Sequence, residues 1–158
     1  MAKVKTNAMR ILDQNKIDYS VMTYEKNDGK LDGISVAGKI EKDPKSVYKT
    51  LVAQGNSRNN YVFVIPVEAE LDLKKAAKAA GEKKIEMVPV KDIEKLTGYV
   101  RGGCSPVGMK KQYSTFIADS ATRLESIVVS GGKIGTQIEL SVEDLKIVTK
   151  AAMEDILK

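Results

Sequence analysis

The residues from Gly98 to Lys111 bring several groups that can bind a ligand into one short stretch. They include four glycines, one proline, three cations and two hydroxyl side chains. Glycine lets the backbone approach a ligand closely or adopt a positive φ, and free backbone N–H groups beside Ser105 can donate to a phosphate or carbonyl oxygen. The composition predicts a binding loop, and a solvated connection between two strands is the equally open alternative.

Histidine is absent from the 158 residues, and Cys104 is the single cysteine. The lack of histidine excludes a Ser-His-Asp or Cys-His nucleophile pair, an HExxH zinc site and an imidazole base. One cysteine excludes a zinc centre with several thiolates, and no base in the sequence would activate Cys104 as a nucleophile. Any catalysis must use lysine, tyrosine, hydroxyl groups, carboxylates or backbone dipoles, and we expect neither a metal nor another cofactor.

Lys49 lies between apolar residues where a buried strand begins, in the sequence Val47-Tyr48-Lys49-Thr50-Leu51. Burial would make an unpartnered ammonium group costly. Held in this position, it could bind a phosphate or carboxyl oxygen, or act as a base with a lowered pKa. The residues by themselves favour the alternative, a lysine whose aliphatic chain reaches water from a strand edge.

The elements that must position these residues follow from the hydrophobic periodicity. Helices are predicted over residues 6–15, 35–40 and 91–96, between Asp72 and Gly81, and from Ser141 onward with Leu145, Val148, Ala152 and Ile156 facing inward. Strands are predicted over residues 19–24, 61–65, 113–118, 126–130 and 136–140, with a short apolar piece over 85–88. Residues 47–54 fit either a strand or a junction between helix and strand. The pattern is that of one α+β domain over residues 1–158.

Composition limits the compartment and the partners. The 26 Lys and Arg residues exceed the 21 Asp and Glu residues, so the net charge of +5 favours a polyanion without the density of a DNA-binding arm. No apolar run approaches the roughly 18 residues that cross a bilayer, and the first residues lack the apolar segment of a secretory signal. We expect a cytoplasmic protein that binds neither membrane nor DNA.

Four motifs follow one another along the chain: Tyr48-Lys49-Thr50-Leu51, Leu71-Asp72-Leu73-Lys74-Lys75, Gly98-Tyr99 with Gly102-Gly103-Cys104-Ser105-Pro106-Val107-Gly108, and Val129-Ser130-Gly131-Gly132-Lys133. In this order they resemble the YbaK/EbsC family, whose members are free-standing relatives of the editing domain of bacterial prolyl-tRNA synthetases. The resemblance extends from the first predicted helix to the last. It implies a barrel-like mixed sheet flanked by helices, and a trans-editing factor that hydrolyses a mischarged aminoacyl-tRNA ester, above all Cys-tRNA(Pro).

The resemblance also implies which residues form the site. Lys49 matches the essential lysine of the family, and Tyr24 matches the tyrosine of a Thr-Tyr pair that ends the first strand. Gln137 stands where a family member carries an acidic residue, so the resemblance supports no catalytic carboxylate at this position of this chain. The remaining substrate-binding residues would be a loop of Gly102, Gly103, Ser105 and Pro106 and a facing wall of Ser130, Gly131 and Gly132.

This chemistry needs no catalytic triad, because an aminoacyl ester is already activated and a catalyst has only to orient it and stabilise the oxyanion. Lys49 would bind the terminal adenosine phosphate or the carbonyl region, while backbone N–H groups of Gly102, Gly103 or Gly131 polarise the carbonyl. The family implies that the thiol of the substrate attacks its own ester, which would explain selectivity for cysteine.

Two other functions stay open. The same fold could clear Ala-tRNA(Pro) or another aminoacyl ester, since a pocket distinguishes acyl groups of similar size poorly. The chain could instead be a binding protein rather than an enzyme, a non-catalytic module that holds tRNA or a synthetase. This alternative stays open because Gln137 stands where a family member carries an acidic residue. The expected partners are tRNA, through its acceptor end, and prolyl-tRNA synthetase, which the resemblance implies.

Overall fold

A computed structural model describes residues 5–158 of the chain. Its elements are α1 (Asn7–Gln14), β1 (Ser20–Thr23), α2 (Gly33–Lys39), β2 (Tyr48–Gly55), β3 (Asn60–Pro66), α3 (Leu73–Ala80), β4 (Ile85–Met87), α4 (Val90–Thr97), β5 (Ser114–Ala118), β6 (Ser126–Lys133), β7 (Thr136–Ser141), α5 (Val142–Thr149) and β8 (Ala152–Glu154). No helix among these residues is long and apolar enough to span a membrane.

The strands form two hydrogen-bonded sheets. One has five strands in the order β4-β2-β3-β5-β8, and the other has three in the order β1-β7-β6. β2 and β3 form an antiparallel hairpin, whereas the β3–β5 and β5–β8 pairs are parallel. An isolated bridge between Val47 and Val128 joins the sheets. The predicted α+β class with a mixed sheet is confirmed, but the division into two sheets leaves closure into a barrel unconfirmed.

β3 lies at the centre of the larger core, and each of its residues from Tyr61 to Pro66 is buried. Such a continuous apolar run is expected for a strand that is covered on both faces. The Phe63 ring stacks on that of Phe116, with the centroids 5.5 Å apart. A second, smaller cluster of Ala37, Val47, Val67 and Val128 is separate from this core.

Short polar residues begin four of the helices. Thr6, Asp32, Asp72 and Ser141 each accept a backbone N–H from the first turn of the helix that follows. Such a cap contributes about 1 kcal/mol to stability. The caps predicted at Asp72 and Ser141 are confirmed, and Asp32 fixes the start of α2.

The C-terminal segment differs from the prediction. The inward stripe of Leu145, Val148, Ala152 and Ile156 predicted one helix, but α5 ends at Thr149 because Lys150 adopts a left-handed conformation with φ 56°. The chain then forms β8, which pairs in parallel with β5. The prediction was wrong beyond residue 149, because the open edge of β5 offers backbone partners that the local pattern does not reveal.

Candidate functional site

A cavity of about 450 Å³ joins β2 to the glycine-rich loop and to the three-stranded sheet. This volume lies within the usual range for small-molecule sites. Apolar residues from β4, α2 and α4 supply part of the wall. The polar and charged residues that line the cavity are Tyr24, Asp32, Tyr48, Lys49, Thr50, Arg101, Ser130 and Gln137.

Lys49 is the second residue of β2, where it pairs with Ile65 of β3. The residue is half-buried and lines the cavity. None of the ion pairs formed within residues 5–158 includes Lys49. A rigid strand therefore holds a cation at the cavity wall without a protein counter-charge, so an electron-rich ligand atom can be its partner.

Tyr24 follows the last residue of β1 and also lines the cavity. Its backbone N–H donates to the carbonyl of Gly135 at 3.0 Å, which fixes the end of the strand beside the β6–β7 turn. The ammonium of Lys39 lies 5.8 Å from the centroid of the Tyr24 ring. The structure thus places the predicted tyrosine on the same cavity as Lys49.

The glycine-rich loop and the β6–β7 hairpin meet backbone to backbone. A Cβ on Gly103 would lie 2.8 Å from the nitrogen of Ile134 and 2.9 Å from Cα of Lys133, so the contact requires glycine. The neighbouring Gly102 has a φ of +85° and lines the cavity, as does Ser130 on the hairpin side. One cavity therefore connects Lys49 to both glycine turns.

The other five residues predicted for the loop and the facing wall are not among those that line the cavity. Their direct contact with substrate stays a prediction, and their visible role is to support the walls. For example, the Ser105 hydroxyl is buried and accepts the backbone N–H of Val107 at 3.2 Å. The five are Gly103, Ser105, Pro106, Gly131 and Gly132.

One predicted oxyanion donor is already engaged. The backbone N–H of Gly103 donates to the carbonyl of Val100 at 3.0 Å, inside the loop. This bond closes the tight turn, so the group is not free to polarise a substrate carbonyl. Of the three glycines proposed for that role, Gly102 is the one on the cavity wall.

Two further lining residues, to which the sequence motifs assign no substrate-binding role, have side chains that make no hydrogen bond within residues 5–158. The Oγ1 atom of Thr50 is buried with no hydrogen-bond partner among the described residues. Gln137 is 7% exposed, and its side-chain amide makes no hydrogen bond within residues 5–158. A buried polar group without a partner costs about 1–3 kcal/mol, so a ligand that bonds the Thr50 hydroxyl would recover that energy, and the Gln137 amide can bond the same ligand. Their signals in the sequence were the motif around Lys49, which contains Thr50, and the departure from the family at Gln137.

The charges around the cavity are unequal. Asp32 accepts the Ser35 hydroxyl at 2.7 Å and the Ser35 backbone N–H at 3.1 Å, and these bonds lower the pKa of its carboxyl group. That carboxylate is therefore ionised at neutral pH and engaged at the start of α2. Lys49 and Arg101 add two positive charges, so the lining residues carry a net charge that favours an anionic or electron-rich ligand.

Cys104 also lines the cavity, but its thiol is not suited to act as a nucleophile. The residue is 8% exposed, and burial raises the pKa of the thiol to about 11. Its Sγ atom lies 3.9 Å from the hydroxyl of Thr97. Since the thiolate is the reactive form, the thiol is inert at neutral pH. This agrees with the sequence argument that Cys104 lacks a base.

The chain is similar to known proteins over most of its length. Residues 34–147 match the family described as the aminoacyl-tRNA editing domain. EbsC of Enterococcus faecalis, named as a candidate Cys-tRNA(Pro)/Cys-tRNA(Cys) deacylase, is 46% identical over 152 residues, which cover 96% of this chain and 93% of EbsC.

Solved structures share the fold. A candidate trans-editing enzyme for prolyl-tRNA synthetase matches with a TM-score of 0.84 at 19% identity, over 99% of both chains. A hypothetical protein matches with a TM-score of 0.87, also at 19% identity, over 96% of this chain and 99% of the other. At this identity the two likenesses concern the fold alone.

Proposed function

The chain belongs to the aminoacyl-tRNA editing domain family, and on that premise we propose that it hydrolyses the ester of mischarged tRNA, with Cys-tRNA(Pro) as its main substrate. The family resemblance read from the four motifs is confirmed. EbsC, at 46% identity, is named for action on Cys-tRNA(Pro) and Cys-tRNA(Cys). The observation that carries the proposal is the single cavity that joins Lys49 to Gly102 and Ser130.

Lys49 and the loop supply the electrostatic part of the reaction. The ester carbonyl acquires negative charge when it is attacked, and donors fixed in advance stabilise that charge without reorganising. We infer that the Lys49 ammonium and the Gly102 backbone, which both line the cavity, stabilise this charge. Lys49 lies on β2, and Gly102 lies in the turn that the Gly103–Val100 hydrogen bond closes, so the backbone at both positions is held before the substrate arrives.

The cavity suits a reaction in which the substrate supplies the nucleophile. Histidine is absent from the sequence, Cys104 is a neutral thiol, and the Asp32 carboxylate is engaged by Ser35. In the reaction that the family resemblance implies, the cysteinyl thiol attacks its own carbonyl carbon. The S–C bond forms, the C–O bond to the terminal ribose breaks, and the S–H proton passes to the ribose oxygen. Water then opens the resulting cyclic thioester to give free cysteine, so the overall reaction is hydrolysis. A substrate without a thiol would not react in this way.

The test is deacylation of tRNA(Pro) charged with cysteine, alanine or proline. We expect the cysteine ester to be cleaved fastest, and Lys49→Met to lower that rate by at least about 100-fold, the usual scale for removing an oxyanion donor. Thermal unfolding of the variant should be unchanged. Lys45→Met, which alters an exposed lysine outside the cavity, is the matched control and should retain full activity.

Other results would favour the alternatives. Release of alanine as fast as cysteine would contradict attack by the substrate thiol and would indicate an Ala-tRNA(Pro) deacylase. Binding of charged tRNA without release of any amino acid would indicate the non-catalytic module instead.

We also propose a cytoplasmic location and a complex with prolyl-tRNA synthetase. A domain with a net charge of +5 can hold the acceptor end of tRNA through its phosphates, whereas selectivity for one tRNA requires contacts with the rest of the molecule. The synthetase would supply that selectivity. If so, adding it should accelerate deacylation of Cys-tRNA(Pro) and leave Cys-tRNA(Cys) unaffected, and equal rates for both would contradict the complex.

A further inference from the structure

The ammonium group of Lys39, at the end of α2, is surrounded by the loop that follows Tyr24. It donates to the carbonyl of Glu25 at 2.5 Å, to the carbonyl of Lys30 at 2.8 Å and to Oδ1 of Asp28 at 2.8 Å. The same ammonium faces the Tyr24 ring. These bonds use all three of its N–H groups. The Lys39 side chain is only 18% exposed, which is low for a lysine.

The loop has little else to hold it. Each residue from 25 to 30 is exposed. The other side-chain bonds of the loop are local: Glu25 accepts the N–H of Asn27, and Asp28 accepts the N–H of Lys30. Within residues 5–158, the long-range hydrogen bonds to these six residues all come from Lys39.

Both ends of this loop reach the cavity. Tyr24 precedes it, Leu31 and Asp32 follow it, and all three residues line the wall. Lys39 donates to the carbonyls of Glu25 and Lys30, near the two ends of the loop. It therefore fixes the distance between the wall residues on either side of the loop, Tyr24 and Leu31.

We propose that Lys39 is a positioning residue for the site, one that keeps the loop of residues 25–30 closed and thereby holds Tyr24 and Leu31 on the cavity wall. The inference rests on the proposed deacylase function. Two backbone carbonyls, a carboxylate and an aromatic face together require a cation with several donors, which a neutral side chain cannot replace.

The proposal predicts a particular kinetic change. Without the ammonium the loop opens, and only the closed fraction of the enzyme can bind substrate, so the apparent affinity falls by that fraction. Saturating substrate restores the closed form. KM should therefore rise while kcat stays the same. A residue needed only for folding would instead reduce the amount of active enzyme and lower the melting temperature.

The experiment compares Lys39→Met and Lys39→Arg with the wild type and with Lys45→Met as the control. For Lys39→Met we expect KM for Cys-tRNA(Pro) to rise about tenfold, with kcat within about twofold of wild type, the net effect of losing three solvent-exposed hydrogen bonds from the ammonium. Lys39→Arg keeps the charge and the donors and should recover most of the affinity. Trypsin should cleave after Lys26 and Lys30 about tenfold faster in Lys39→Met, since cleavage follows the population of the open loop.

The outcomes separate this inference from the proposed function. If wild type releases no cysteine, the function fails, whereas the cleavage rates still show whether Lys39 closes the loop. If wild type is active and Lys39→Met keeps the wild-type KM, the positioning role is overturned, whether or not the loop is cleaved faster. A fall in kcat with an unchanged KM and a lower melting temperature would also overturn it.

Discussion

The two walls of the cavity treat their polar groups in opposite ways. On the strand side, Lys49, Thr50 and Gln137 line the cavity, and their side chains have no hydrogen-bond or ion-pair partner within residues 5–158. On the loop side, the Tyr99 hydroxyl donates to the carbonyl of Val107 at 2.7 Å, and the Ser105 hydroxyl accepts the N–H of the same residue. These strand residues leave bonds unmade, whereas Tyr99 and Ser105, which support the loop wall from behind, complete theirs internally. The contrast is not uniform, because the strand-side Tyr48 and Ser130 are hydrogen-bonded and Arg101 of the loop lines the cavity without an ion pair within residues 5–158.

This difference gives the two walls different roles: one sets the shape of the cavity, and the other supplies groups that can bond the substrate. Unsatisfied polar groups reduce stability unless a ligand bonds them, so they are retained where a ligand binds. Satisfied groups in a loop make it stiff and keep the opposite wall in place. The glycine-rich stretch, which is the most conspicuous feature of the sequence, is therefore mainly the frame, and the less conspicuous strands carry the groups that meet the substrate.

The largest effect that would test this contrast is expected from Gly103→Ala. The added methyl group would lie 2.8–2.9 Å from backbone atoms of Lys133 and Ile134, so the loop and the hairpin must separate. Overpacking of this kind costs about 3 kcal/mol. Urea unfolding should show this loss, and deacylation should fall because the cavity that spans the two turns is distorted.

Gly38→Ala is the matched control for that change. Nothing lies within 4 Å of a Cβ at this position in α2, so the variant should be as stable as wild type or about 0.5–1 kcal/mol more stable. If Gly103→Ala were as well tolerated as Gly38→Ala, the loop wall would not be the rigid frame described above.

The sequence was sufficient to predict most of the frame but not the partners of its polar groups. Lys49 and Tyr24 could be assigned to the site because the motifs around them resemble a family. The bond from the Gly103 N–H to Val100, and the lack of one at Thr50, depend on how segments pack, which local patterns do not encode. Lys39 was missed for the same reason, since its partners lie 9–14 residues earlier in the chain.

A pair of smaller changes sharpens the comparison of the walls. Thr50→Val replaces a buried hydroxyl that has no partner with a methyl group of similar size. It should raise the free energy of unfolding by about 1 kcal/mol and lower kcat/KM for Cys-tRNA(Pro) about tenfold. Ser105→Ala should do the reverse, because it leaves the buried Val107 N–H without an acceptor: stability falls by about 1–2 kcal/mol, and the folded enzyme stays active.

Both variants are measured by urea unfolding and by steady-state deacylation. The contrast between the walls would be disproved if Thr50→Val destabilised the protein without affecting turnover. It would equally be disproved if Ser105→Ala abolished activity while the protein remained folded.

The smallest effect concerns Cys104, a loop-side residue that lines the cavity without being expected to react. Burial raises the pKa of its thiol from 9.0 to about 11, so the folded state holds this proton more tightly than the unfolded state. The contribution of this proton to the free energy of unfolding is fully present below pH 9, and it is lost as the pH rises through 11. Between pH 8 and pH 10 the loss is about 1 kcal/mol, and Cys104→Ala should remove that part of the slope.

The comparison uses the slope of the unfolding free energy against pH rather than its absolute value. The packing lost in Cys104→Ala does not depend on pH, so it leaves this slope unchanged. Burial and, after it, the charge of the Cys104 thiolate raise the pKa of Tyr99 to about 12. The folded state therefore keeps Tyr99 protonated between pH 8 and pH 10 with or without the thiol, and its contribution to the difference in slope is small. Deacylation at pH 7.5 should be the same with and without the thiol. Identical slopes of the unfolding free energy against pH would show that the thiol is not buried as described. Loss of turnover in a folded Cys104→Ala protein would show that Cys104 takes part in the reaction.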